Sequence, residues 1–346
     1  MKRNHIRITA SVLAAAMLFS FAACGKSEDP LSEPPAAATT TTAAPATTAA
    51  PVRYTNLLTG EDVLTTTKNR PVAFMIDNYS TGIRQKNIDK ADFYVEAETE
   101  GGIPRIMAVF GSVERVPAEV GPVRSARTHF VKMAKALDAV YCHVGGSTLG
   151  RAMIREKKLT DLDSLVQVSG ELKAANGASE HTKVFTLSRI QDAVKKRGIS
   201  TTTATASPYT FGEKAGSGAG NSVQINVSSS WKISFAYDAA TKLYTKHRTT
   251  LSSPAHVSYD GDAIRVSNVI ILYDARFWED SGHISFPLSG GKGVLVSGGT
   301  SRNIRWSRTD KALKFTEEDG SPLTVAKGKT YVCLTDNSNA SKTVLQ

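Results

Sequence analysis

The stretch from Glu96 to Ser147 packs acidic, basic and glycine-rich signals together. Arg124 and Arg127 flank Ser125, which is placed to cap a helix. Two guanidinium groups in a first helical turn oppose the macrodipole by about 0.3–1 kcal/mol each, so something must offset them. An anion held by free backbone N–H groups would do so, with Gly145, Gly146 and Ser147 as a second loop facing it. So would an internal carboxylate, and Glu96, Glu98 and Glu100 alternate a short distance upstream. The same acids suggest a rival chemistry. On one strand face Glu96 and Glu98 lie ~6.5–7 Å apart, within the span of an inverting glycosidase pair, with His143 near the same loops. His143 and Ser147 together point to nucleophilic hydrolysis, but the residues after Gly145-Gly146-Ser147 do not complete the nucleophile-elbow motif. Asp77, His143 and His181 are sensible metal ligands without diagnostic spacing. No cofactor signature is present.

The elements that must hold these groups can be read from periodicity. Pro71 to Ile76 is a buried-strand run ending in Asp77-Asn78, Phe93 to Glu98 and Arg105 to Val113 alternate, and Ala139 to Val144 is a short apolar strand. Ser125 to Leu137 has helical spacing, as has Leu187 to Arg197 after a strand at Val184 to Leu187. Residues 54–200 therefore read as an α+β or α/β domain with a mixed sheet, its site at the strand C-terminal ends. Residues 201–222 are rich in Gly, Ser and Thr and read as a linker. Beyond them strands and turns alone alternate, which predicts a smaller all-β domain over 223–346, a sandwich or barrel. Its Trp278, Trp306, Arg302, Arg305 and Arg308 offer planar groups for a sugar or phosphate, although Trp306 shares a strand face with Ile304 and suits a core better.

The N-terminal residues give an address. Lys2, Arg3 and Arg7 precede an apolar run, and Phe21-Ala22-Ala23-Cys24-Gly25 resembles a lipobox, in which the cysteine is acylated and becomes the new N-terminus. Residues 1–24 are thus the leader with its lipidated Cys24. Residues 25–53, rich in Ala, Thr and Pro, read as a disordered tether with a reach of ~30 Å. The body is expected outside the cytoplasm, anchored to the cell membrane by lipid. Removing three cations with the leader takes the net charge from +10 to +7, which suits an anionic wall polymer or a partner in the envelope. Nothing resembles a nucleic-acid recognition motif. Cys142 and Cys333 remain, and Cys142 is in phase with Val140 and Val144, as a buried free thiol would be.

Three segments carry a likeness: Gly101 to Phe110 (GGIPRIMAVF), Val120 to Arg127 (VGPVRSAR) and His143 to Ser147 (HVGGS). The chain after the tether resembles the YerB-like lipoprotein family, with an N-terminal part to about Arg197 and a smaller C-terminal part from about Val223. The resemblance implies a membrane-anchored lipoprotein of the Gram-positive type, and no reaction. Where relatives more often read PHNLYT, this chain has EHTKVFT, which keeps His181 and Thr186 and replaces the asparagine by Thr182.

Overall fold

The computed structural model describes residues 52–65, 69–79, 85–163, 167–168, 181–259, 261–279 and 282–346. Cys24, the leader and the tether up to residue 51 lie outside them. Among the described residues no helix is long and apolar enough to cross a membrane.

The body is built on an eleven-stranded mixed sheet. Its strands in chain order are β1 (Val72–Ile76), β2 (Phe93–Glu98), β3 (Pro104–Phe110), β4 (Val140–His143), β5 (Asp161–Asp163) and β6 (Gly218–Ala219). They continue with β7 (Asn268–Asp274), β8 (Gly291–Ser297), β9 (Thr300–Thr309), β10 (Ala312–Thr316) and β11 (Thr330–Asp336). Across the sheet the order is β6-β9-β8-β7-β11-β2-β3-β1-β4-β5, with β10 also on β9. Every residue of β1, β2 and β3 is buried, because the sheet is covered on both faces. One face carries α1 (Thr128–Ala136) and α2 (Thr148–Glu156), packed on Ala73, Met75, Val95 and Tyr141. Phe130, Met133, Ala134 and Leu137 form the stripe by which α1 packs. The other face carries α3 (Leu187–Lys196) and a five-stranded antiparallel sheet, whose Ile225, Phe235 and Tyr244 pack against Phe74, Tyr94 and Tyr331.

Two expectations need correction. The region 223–346 is β-rich, as its pattern predicts, but does not close into its own sandwich or barrel. Its β11 lies parallel to β2, with Tyr331 opposite Tyr94 and Cys333 opposite Glu96, so the central sheet draws strands from both parts. Apolar side chains on both faces of Thr330–Asp336 require two covered faces, and the first region's sheet supplies them. Nor is 201–222 a free linker. Thr210–Phe211 pairs with Thr324–Val325, and Gly218–Ala219 pairs with β9. Its glycines serve close approach: a Cβ on Gly216 would lie 2.1 Å from the Ser301 carbonyl oxygen.

The direction of the strands fixes where a site can form. β7, β11, β2, β1, β4 and β5 run the same way, with β3 reversed between β2 and β1. Their C-terminal ends therefore share one edge, which bears Asp77, Glu98, His143, Asp163, Asp274 and Asp336.

Candidate functional site

The VGPVRSAR segment is stitched into this edge. Asp77 N–H donates to the Pro122 carbonyl at 2.9 Å and Arg124 N–H to that of Met75 at 2.7 Å. On the other side Val144 N–H donates to Arg124 O at 3.1 Å and Ala126 N–H to Gly145 O at 3.0 Å. The segment thus fills the gap between the ends of β1 and β4. Gly121 has no room for a side chain, since a Cβ would meet the Lys183 carbonyl oxygen at 2.8 Å. These bonds hold residues 124–126 extended, so the helix starts at Thr128 with Arg127 as its cap residue; Ser125 is not the cap.

The two arginines of the segment part company. Arg127 is buried; its Nε donates to Glu100 Oε2 at 2.9 Å, and Nη2 bonds the other oxygen. Arg105 adds Nη2 to Glu100 Oε1 at 2.8 Å and Nη1 to the Ser125 carbonyl at 2.7 Å. Burial pushes the Glu100 carboxyl up, but the Arg127 hydrogen bonds and the Arg105 charge outweigh it and hold it at about 2. The internal carboxylate therefore offsets Arg127. Arg124 points elsewhere, its side chain one-fifth exposed, with Nη1 3.8 Å from Asp77 Oδ2 and 3.4 Å from His181 Nδ1. His181 also hydrogen-bonds Asp77, and the half-exposed Tyr79 lies against the imidazole at 4.9 Å between centroids.

The remaining candidates are distributed as follows. His143 faces the Gly145 carbonyl through Nδ1 at 2.7 Å and Asp161 through Nε2 at 3.2 Å, so it does not join Asp77 and His181. Among the described residues no three His, Cys, Asp or Glu side chains are grouped to hold a metal ion. Gly145 N–H is taken by Asp163 at 2.7 Å and Ser147 Oγ caps α2 by accepting from Gly150 N–H at 3.0 Å, which closes the expected glycine cradle from within. The three glutamates diverge as well. Glu96 is 0% exposed and accepts from Tyr331 Oη at 2.6 Å and Asn78 Nδ2 at 3.0 Å. Glu98 pairs with Arg276 at 3.0 Å, and burial pushes its carboxyl up against that pairing. Glu100 lies past the strand in a 3-10 turn. Trp306 is core, while Trp278 is 59% exposed.

Sequence reasoning misses the buried polar cluster beside Glu96, comprising Lys246, Arg248, His256, Gln85 and Asn78. One signal is available. Tyr244 and Lys246 share a strand face, and a lysine on a core face demands a partner.

His129, in the first turn of α1, is a further buried group. Both its ring nitrogens lack partners among the described residues, and burial, with Lys132 and Arg127 adding to it, takes its pKa down to about 3. Because the folded value lies below the free value of 6.5, only the unfolded chain gains that proton, and stability falls as pH drops from 6.5 toward 3. Replacing His129 by Leu should remove that slope, a relative gain on the order of 2 kcal/mol at pH 5. Urea unfolding at pH 5 and 7 checks it; parallel pH dependence in both proteins would refute the assignment. Glu100 acts in the same direction at the acid end of this window and beyond it, since its stabilisation is full above 4.5 and is lost as pH falls through about 2.

Comparison with known proteins accounts for the shared segments. The chain is 27% identical over 287 residues to a protein of Bacillus subtilis (strain 168) named as a lipoprotein, YerB, a match covering 80% of this chain and 84% of that protein. The crystal structure of the YerB protein from Bacillus subtilis has the same fold, with TM-score 0.71 and 23% identity over 84% of this chain and 98% of that one. Residues 58–200 match the model described as protein of unknown function (DUF3048), N-terminal domain, and residues 223–332 match its C-terminal companion. The chain belongs to the DUF3048 family and carries both of its parts.

Proposed function

We propose that this protein is a lipoprotein anchored through Cys24 to the outer side of the cell membrane, whose body binds an anionic wall component or an envelope protein without turning it over. One observation carries the reading. Segments far apart in sequence, among them those that carry the family likeness, converge on one sheet edge, where the one-fifth-exposed side chain of Arg124 meets Asp77 and His181, with the half-exposed Tyr79 against the His181 ring. A partly exposed guanidinium at such an edge suits a carboxylate or phosphate on a larger molecule. The relative named as a lipoprotein supports the anchor. The alternative, a wall-glycan hydrolase using Glu96, Glu98 and Glu100, has less support, because Glu96 is closed off by Tyr331 and Asn78 and cannot reach a glycosidic oxygen.

The test is retention of the full chain, in mild detergent, on purified wall sacculi. Arg124→Ala should lower retention about tenfold at low salt, with the difference shrinking at high salt. Equal retention by the variant would overturn the role of Arg124, and soluble glycan fragments released by the unaltered chain would favour the hydrolase.

A further inference from the structure

The sheet edge opposite Arg124 carries a cleft that plays no part in the Arg124 site. Ser267, which precedes β7, and Ala326-Lys327, which lead toward β11, meet there with the Ser297-Gly298 turn and the hairpin tip at Thr241-Lys242. Gly212 to Ala215, from the stretch that reads as a linker, closes the wall. The result is two adjoining hollows of about 250 Å³ and about 500 Å³ that share Gly212, Glu213, Lys242, Ser267 and Ala326. That is the size of a site for a small molecule or one repeat of a polymer.

Its charge is one-sided. Lys214, Lys242 and Lys327 line it against a single acid, Glu213. Lys214 leans on Glu317 at 3.1 Å, while neither Lys242 nor Lys327 is in an ion pair among the described residues. Past Lys327 a third hollow of about 440 Å³ adds Lys90, Arg265 and Lys329, balanced there by Glu61, Asp89 and Asp262, the last two paired with Lys90. Ammonium groups act as point charges and impose no planar fork, so they suit tetrahedral phosphate on a flexible chain better than a fixed carboxylate. A concave, elongated track admits a strand and excludes a flat bilayer surface. We infer that this cleft binds a linear phosphodiester polymer of the envelope, seating one repeat among Lys214, Lys242 and Lys327. The inference rests on the reading that the body binds an anionic envelope component, and adds a second contact on the far side of the sheet.

The test uses the full chain and soluble poly(glycerol phosphate) in titration calorimetry, with polygalacturonate and phosphatidylglycerol vesicles as competing probes. The variant is Lys214→Gln/Lys242→Asn/Lys327→Gln; Asn is chosen at 242 because that residue has φ 58°. It should bind the polymer at least about tenfold more weakly, with a shallower salt dependence. A charge-matched control at exposed lysines elsewhere, Lys195→Gln/Lys196→Gln/Lys232→Gln, should keep its affinity, as should Lys→Arg at the three cleft positions. Unchanged binding by the cleft variant, equal loss in the control, or preference for vesicles or polygalacturonate would each overturn the inference. Should Arg124→Ala lose sacculus retention while the cleft variant binds normally, the role of Arg124 stands and that of the cleft falls. Polymer binding lost only in the cleft variant, with Arg124→Ala fully retained on sacculi, would uphold the cleft and remove the role of Arg124.

Discussion

Replacing Lys246 by Met should destabilise the body by about 3–5 kcal/mol, the cost of leaving a carboxylate buried without its cation. The Lys246 side chain is 1% exposed and its Nζ lies 3.4 Å from Glu96, which is itself fully buried. The same Nζ donates to His256 Nδ1 at 3.0 Å. On the far ring nitrogen His256 meets Gln85 Oε1 at 2.7 Å, and Arg248 donates to that same oxygen at 2.9 Å. Burial drives Lys246 downward and Arg248 to about 10, so both cations stand in a poorly solvated place and depend on their partners. Met keeps the stem and removes the charge together with the donor to His256. Adding Glu96→Gln should then recover at least about 2 kcal/mol, because the double variant no longer buries a carboxylate without Lys246, while Arg248 keeps its bonds to Asn78 and Gln85. Urea unfolding of the two single variants and the double completes the cycle. A loss below about 1 kcal/mol for Lys246→Met, or strict additivity, would show that the pair is not coupled.

How far the sequence leads depends on whether a feature is local. Phe93–Glu98 is legible to the residue because FYVEAE alternates within one strand, and the α1 interior is legible because Phe130, Met133, Ala134 and Leu137 recur at helical spacing. The start of α1 is not, since what holds Ser125 out of the helix is a set of backbone bonds to β1 and β4. For the same reason α2 escapes a reading of the sequence: Ser147 reads as a loop residue, although it caps a turn in which Ile154 packs inward. Asp77 and His181 stand out as candidates and do meet, yet His143 does not belong with them, because spacing along the chain says nothing of which strand ends are neighbours. The carboxylates fare alike. Alternation places Glu96 and Glu98 on one face, but whether an acid is open, paired with Arg276 or sealed behind Tyr331 is decided by residues from the second part of the chain. The stretch 201–222 shows the converse. Its composition spells flexibility, whereas its glycines are there to let backbones touch at Ser301 and Thr300.

Neither residues 52–200 nor residues 201–346, made as separate chains, should show a cooperative unfolding transition, and mixing them should restore one. The reason lies in β11, which sits between β7 and β2 near the middle of the sheet. Without it the first fragment exposes the edge of β2, a strand in which Phe93, Tyr94, Val95 and Ala97 are all fully buried in the intact body. Without β2 the second fragment exposes Tyr331, Val332, Cys333 and Leu334, equally buried. Each loses a ladder of backbone hydrogen bonds and the apolar cover of both faces, at roughly 1.5–3 kcal/mol for each large apolar side chain uncovered. A typical body holds only about 5–15 kcal/mol in reserve, so either loss exceeds what the fragment can offset. Lys246 and Glu96 would also be parted, each left without its counter-charge. Far-UV circular dichroism and urea titration of each fragment, alone and mixed, measure this directly. A sharp transition from 52–200 alone would mean that the first region completes its own core and that β11 only docks on a finished edge. Recovery of one transition on mixing would instead make the β2–β11 pairing the step that assembles the sheet, and with it the strand ends that hold Asp77, Arg124 and His181 together.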